Sequence, residues 1–221
     1  MKIPTKTHLL KELDSVGHAR RVQRLALLGR DAAGTAPLNQ LLDELQSGDS
    51  YEQMLGLFAS IAARDEARIL TALQSDSVWL RNHAAAAAGW AVADDEALAA
   101  VVLKAAPDTR QRLLKTISRR RRTALAERLL PQIRTEFGAK LAVSVLSACT
   151  ATSVEKFLAE EGHAVKHWYR LANLYPDVIL SDIQQQFETA PRRTHHSLWS
   201  HFDSAWKPLA LHRSEKVLTL V

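Results

Sequence analysis

SDSVWLRNHAAAAAGWAV, residues Ser75 to Val92, sets five consecutive alanines inside a segment that otherwise reads as a helix. Ala is the strongest helix former, yet its side chain buries too little surface to drive folding by itself. The stretch therefore predicts a helix pressed closely by neighbours on several sides.

Working outward, apolar residues recur at three- and four-residue spacing in LNQLLDEL, EARILTAL, DEALAAVVL, RQRLLKTI, LAERLLPQI and DVILSDIQQQF, and no segment sustains period-two alternation. The fold class is all-α. The helices are short and closely punctuated. Asp65, Asp76, Asp94, Asp108 and Thr152 stand where N-caps belong, Thr152 and Glu155 have capping-box spacing, and Pro37, Pro107, Pro176 and Pro191 mark helix starts. Such short connections predict antiparallel helical hairpins.

The hairpins repeat. First helices are predicted to begin near Pro37, Asp65, Asp94, Thr123, Ala151 and Pro176, a spacing of roughly 25 to 30 residues. Aligning the second helices brings Arg21, Gln53, Arg81, Arg112, Lys140, Lys166 and Arg193 into one column. An acid precedes each of them: Asp14, Asp49, Asp76, Asp108, Glu136, Glu161 and Glu188. The expectation is a ladder of acid–base pairs.

LTALQSDSVWLRNHAAAAAGWA resembles a HEAT repeat, with a first helix ending at Leu73, Asp76 in the turn, Leu80 and Arg81 opening the second helix, and small residues from Ala84 that let hairpins stack. That resemblance implies a right-handed α-solenoid of about seven short hairpins spanning residues 1–221 as one domain, of a variety shorter than the roughly 40 to 47 residues of HEAT and armadillo units. It also implies that the second helices line a concave surface. WYRLANLY, Trp168 to Tyr175, resembles the opening of a tetratricopeptide repeat, but Gln184 and Glu188 fall where that family has Ala and an aromatic. After LWSHFDSAW, read as one helix, RSEKVLTLV either opens a further hairpin of a longer solenoid or docks back on the last one.

With 221 residues, 47% hydrophobic and 24% charged, the chain is long enough for one sizeable core or a stack of small ones. The single Cys149, in LAVSVLSACT, excludes a disulfide framework and is expected as a small buried hydrophobe in a reducing compartment. MKIPTKTHLLKEL has no apolar core of a signal peptide, and no window is long and apolar enough for a membrane span, so an intracellular, cytoplasmic protein is expected. A net charge of +5 and a pI near 9.5 admit an acidic partner.

The most charged stretch, Arg119 to Arg122 in SRRRRTALAERLL, suits either phosphate binding or nuclear import, or else closes a helix where cations favour the negative end of the dipole. The basic column would suit a nucleic-acid backbone, but its acidic companions speak for a structural role. The candidate binding residues are Arg20, Arg24, Arg81, Arg112, Lys115, Lys166, Arg170 and Arg192. His163 and His167 have the i, i+4 spacing of two ligands on one helix face near Glu160, without the Glu of a zinc-protease helix; His195, His196 and His201 are a second histidine group. The acid pairs Asp94–Asp95 and Glu160–Glu161 read as helix-end charges. Trp79, Trp90, Trp168, Trp199 and Trp206 are spread along the chain.

With no P-loop, G-x-G-x-x-G, G-x-S-x-G or H-E-x-x-H, no catalytic residue, metal or cofactor is assigned. The expected function is a non-enzymatic scaffold whose concave face holds a protein or peptide partner. The alternative, implied by the HEAT resemblance, is a nucleic-acid binder, up to a DNA glycosylase acting on alkylated bases.

Overall fold

The computed structural model describes residues 3–13 and 17–219; the side chains of Glu12, Leu13, His18 and Arg21 lie outside that description. Among the described residues there are fifteen α-helices and two 3-10 turns, and no strand. They fall into two compact units, Met1–Thr116 and Ile117–Val221.

The first unit comprises α1 (Lys6–Leu13), α2 (His18–Asp31), α3 (Ala36–Gln46), α4 (Ser50–Ala63), α5 (Glu66–Leu73), α6 (Val78–Ala91), α7 (Asp95–Lys104) and most of α8 (Pro107–Arg119). The second comprises α9 (Thr123–Phe137), α10 (Ala139–Leu146), α11 (Ala151–Glu161), α12 (Tyr169–Leu174), α13 (Pro176–Thr189), α14 (His195–His201) and α15 (Asp203–Leu218), with 3-10 turns at Gly162–Ala164 and Arg192–Thr194. Six helices thus begin within one residue of Pro37, Asp65, Asp94, Thr123, Ala151 and Pro176. LWSHFDSAW is split at Phe202 between α14 and α15, and α15 kinks at Arg213, whose φ of −145° and ψ of 46° are not helical.

The helix starts follow from local chemistry. Asp49 accepts from the backbone N–H of Tyr51 and Glu52 while Glu52 reaches back to the Asp49 N–H, so three orphan donors at the start of α4 are satisfied. Asp65 and Asp94 cap α5 and α7. Two caps are shifted from expectation: Ser77 rather than Asp76 caps α6, and Thr150 rather than Thr152 caps α11. Asp108 lies in the first turn of α8, after Pro107. Pro191 precedes a 3-10 turn instead of an α-helix.

In the first unit α1 packs on α3, α2 on α4, α4 on α3, α5 and α6, and α5 on α6 and α7. The even-numbered helices approach very closely. A Cβ on Gly29 of α2 would sit 2.2 Å from the Ala59 carbonyl oxygen of α4, and one on Gly89 of α6 would sit 2.5 Å from Thr116 Cγ2 of α8. The alanine run answers to the same contact: Ala84, Ala85, Ala87 and Ala88 are buried, and only Ala86 faces outward. Larger residues fill the space between the layers, with Leu25, Leu38, Leu42, Leu45 and Leu55 in one cluster. Each fully buried leucine contributes about 1.5–3 kcal/mol by removal from water.

In the second unit α10 packs on α9 and α11, α13 on α11, α12, α14 and α15, and α15 also on α12. Trp168 and Phe202 are its largest buried side chains, with ring centroids 4.7 Å apart. The last turns of α15 dock back: Arg213 bonds Asp177 of α13, and His212 bonds Asn173 of α12 at 2.8 Å. No helix among the described residues is long and apolar enough to cross a membrane.

Candidate functional site

The column of second-helix cations has a different partner from the one expected. Arg81 donates to the backbone carbonyls of Ser75, at 2.5 Å, and Asp76, at 2.8 Å, and not to the Asp76 carboxylate. Gln53, the apparent break in the column, does the same to the Gly48 carbonyl at 3.1 Å. In α8 the role passes to Arg110, which donates to the carbonyls of Val102, Leu103 and Ala105 at 3.1, 3.2 and 2.7 Å. These carbonyls end the preceding helix or form the turn after it and have no intrahelical donor, so in these three hairpins one cation or amide closes the turn.

The acid–base rungs themselves do not form as pairs. Among the described residues no ion pair joins Asp108 to Arg112, Glu136 to Lys140 or Glu188 to Arg193, and Glu161 pairs with Arg134 at 3.3 Å instead of with Lys166. Asp14 and the Arg21 side chain lie outside the described residues. Lys166 and Arg193 are not on second α-helices: one precedes α12, the other sits in a 3-10 turn. Among the described residues, ion pairs that cross between helices include Lys6 with Glu52 (2.7 Å), Arg68 with Asp43 (2.6 Å), Arg134 with Glu160 and Glu161, and Arg213 and Lys216 with Asp177, while Arg68 also bonds Asp65 at the cap of its own helix.

Five of the predicted binding residues, Arg20, Arg24, Arg81, Arg112 and Lys115, belong to the first unit, and Lys166, Arg170 and Arg192 to the second. Arg20 and Arg24 are exposed on α2, Lys115 on α8, Lys166 before α12 and Arg192 in its turn. Two of the eight bear on other candidate features: the Arg112 charge acts on a histidine of α6, and Arg170 bonds the turn that carries the arginine run.

The α6 feature is an aromatic strip. Trp79, His83, Ala86 and Trp90 follow each other at spacings of four, three and four, which puts them on one helix face. Trp79 and His83 stack with centroids 3.8 Å apart and planes 37° from parallel, and Phe58 of α4 meets both edge-on at 6.0 and 5.6 Å. Trp79 and Trp90 are 39% and 40% exposed. Burial and then the Arg112 cation hold the His83 imidazole below its ordinary value, which favours its neutral form. α6 therefore turns small residues inward and large rings outward. The spacing was present in the sequence, but a scan by residue type scatters the tryptophans.

Below this face the turn Gln74–Asp76 separates two clefts. One, of about 440 Å³, is lined by Leu42, Gln53, Gly56, Arg68 and Asp76; the other, of about 470 Å³, by Leu73, Arg81, Val101 and Lys104. Arg68 and Arg81 each present a buried Nε with no partner there.

The second unit holds the positive charge. The first balances fourteen Lys and Arg against fourteen Asp and Glu, while the second carries fifteen against ten, so the whole surplus of five lies in residues 117–221. Arg119, Arg120 and Arg121 are exposed at the turn that ends α8. Arg121 has φ 52°, left-handed, with the N–H groups of Arg121 and Arg122 closing the helix on the carbonyls of Ser118 and Ile117. Arg170 donates to the Ser118 carbonyl at 2.8 Å.

The remaining candidates read as structure. α11 ends at Glu161, so His163 and His167 do not share a helix face, and among the described residues no three His, Cys, Asp or Glu side chains gather to hold a metal ion. His195 and His201 sit against Phe187 and Trp168. Burial pushes the Cys149 thiol up to about 12, leaving it protonated at neutral pH. Compared with protein families, curated proteins and solved structures, the chain matches none.

Proposed function

We propose that this chain is a HEAT-like α-solenoid that serves as a binding scaffold and holds a protein or peptide partner on the outer face of α6. The single observation that carries this reading is the strip Trp79–His83–Trp90 with Phe58 edge-on to its first two rings. Trp and Arg are the side chains that most often dominate protein interfaces, and two half-exposed tryptophans on one helix face are a costly surface to leave in water. The neighbour relations α2–α4–α6 in the first unit agree with second helices that share a face.

Magnitudes set the kind of partner. Covering the exposed part of each tryptophan supplies about 2 kcal/mol, whereas association costs on the order of 4–15 kcal/mol in lost freedom. Two rings alone do not hold a ligand, so the partner also covers neighbouring helices, as a peptide or a protein surface does. The rings of the strip, with the Arg112 charge acting on His83, call for a carboxylate next to an apolar side chain. The exact balance of charge in the first unit supplies no long-range attraction for a nucleic acid.

A random peptide library selected on the full chain and counter-selected on a Trp79→Ser, Trp90→Ser double variant tests this. Enriched peptides that combine an acidic with an aromatic or aliphatic residue and lose about tenfold or more in affinity for the variant support the proposal. Peptides indifferent to the variant, or no enrichment at all, overturn it.

A further inference from the structure

We propose that the turn between α8 and α9, together with Arg170 of α12, is a binding site for a phosphate monoester. Arg170 reaches by a hydrogen bond into the turn that carries Arg119 and Arg121. Arg170 is tied by one N–H to the Ser118 carbonyl at 2.8 Å, one residue before Arg119 and three before Arg121. A guanidinium has five N–H donors in a fixed fork, so most of those of Arg170 remain for a ligand. Among the described residues the Arg119 side chain makes no hydrogen bond or ion pair, and Arg121 lies against the Tyr175 hydroxyl, which itself bonds the Cys149 carbonyl at 2.6 Å. Burial lowers the pKa of Arg170, and the charges of Arg119 and Arg121 lower it further.

Glu127, a carboxylate whose charge reaches Tyr175, is already engaged. Glu127 accepts from the Thr150 N–H at 2.5 Å and the Ser153 hydroxyl at 2.6 Å. Arg121 is also held in a left-handed conformation where glycine is the usual occupant, so the turn keeps a guanidinium at a backbone cost. A monoester phosphate brings two charges to one point and accepts from several forks at once. A nucleic-acid backbone presents single charges along a line and needs a track of cations with aromatic platforms. Here the cations cluster in one turn and Tyr175 is buried, which favours the monoester over the polymer.

The full chain is titrated, by amide chemical shifts at constant ionic strength in chloride, with inorganic phosphate, with a Gly-Ser peptide bearing one phosphoserine, with its unphosphorylated twin, and with a 20-base-pair duplex. Saturable shifts confined to residues near 119–122 and 170 are expected for the two phosphate probes. They should weaken about fivefold or more in Arg119→Ser and in Arg121→Gly, which keeps the turn because glycine is at home at that φ. A phosphopeptide about tenfold tighter than inorganic phosphate assigns the group to a protein partner; equal affinities assign it to a free phosphate. Tighter binding of the duplex than of either, shifts equal to those of the unphosphorylated peptide, or unchanged affinity in Arg121→Gly overturn the proposal. None of these results depends on the α6 face.

Discussion

Asp182 of α13 is mostly withdrawn from water, and burial pushes its carboxyl from 3.8 up to about 6, with a hydrogen bond from Gln186 at 3.0 Å opposing the shift. Between roughly pH 4 and 6 the native state then holds more protons than the unfolded chain, so stability falls as pH rises through that window and stays lower above it. A shift of this size corresponds to on the order of 2–3 kcal/mol. Asp182→Asn removes the titration and keeps an acceptor for Gln186. The variant is expected to melt higher than the parent at pH 7 and together with it at pH 4; parallel melting curves across the window would refute the assignment. Gly29 makes the opposite point about space. Ala in its place gains about 1 kcal/mol of helix propensity, but its Cβ would lie 2.2 Å from the Ala59 carbonyl oxygen, a backbone atom that cannot swing aside. We expect Gly29→Ala to destabilise by about 2 kcal/mol or more in urea titration, and a gain in midpoint would mean that α2 and α4 are less tightly apposed.

At the scale of the element, Arg68 joins hairpins that the backbone leaves separate. Its guanidinium on α5 bonds Asp65, the cap of its own helix, and Asp43 of α3 at 2.6 Å. Removing it leaves the cap intact, because Asp65 bonds the backbone N–H of residue 68, so the loss reports the link between helices. Arg68→Ala is expected to cost about 1–2 kcal/mol, with Asp43 largely in solvent keeping the figure modest, and a double-mutant cycle with Asp43→Ala should show coupling of about 0.5 kcal/mol or more. Additive losses would assign the effect to the packed aliphatic stem instead. The same elements mark what can be read from a sequence. The alanine run, the starts at Pro37, Asp65, Asp94, Thr123, Ala151 and Pro176, and the small residues of α6 were legible because each leaves a side-chain signature. The partner of Arg81 was not, since the carbonyls of Ser75 and Asp76 have no signature and a carboxylate stood nearby. Ser77 displaced Asp76 and Thr150 displaced Thr152 because adjacent residues had equal capping chemistry and only the backbone path chose between them. On α6 the period of the rings was visible, but the exposure of Trp79 and Trp90 depends on which side Ala84, Ala85, Ala87 and Ala88 pack.

For the whole molecule, the question is whether stability is shared through one core or passed from neighbour to neighbour. In a stacked array each hairpin contacts only the next, and stability is approximately a sum of local terms. In a single globular core the loss of one contact lowers the protection of every element that opens with it. Gly29→Ala distinguishes the two, since it perturbs one seam, between α2 and α4, and touches no side chain of Ile117–Val221. If the chain is a HEAT-like solenoid, native-state hydrogen exchange in this variant should quicken most in α2 and α4, less in α6, and not at all in α11 and α13. Each helix lies one more contact from the lesion, so the loss of protection should decay along the chain as the nearest-neighbour terms absorb it. An equal loss of protection from α2 to α13 would instead show cooperative opening of one core, and the solenoid reading of the architecture would have to be given up.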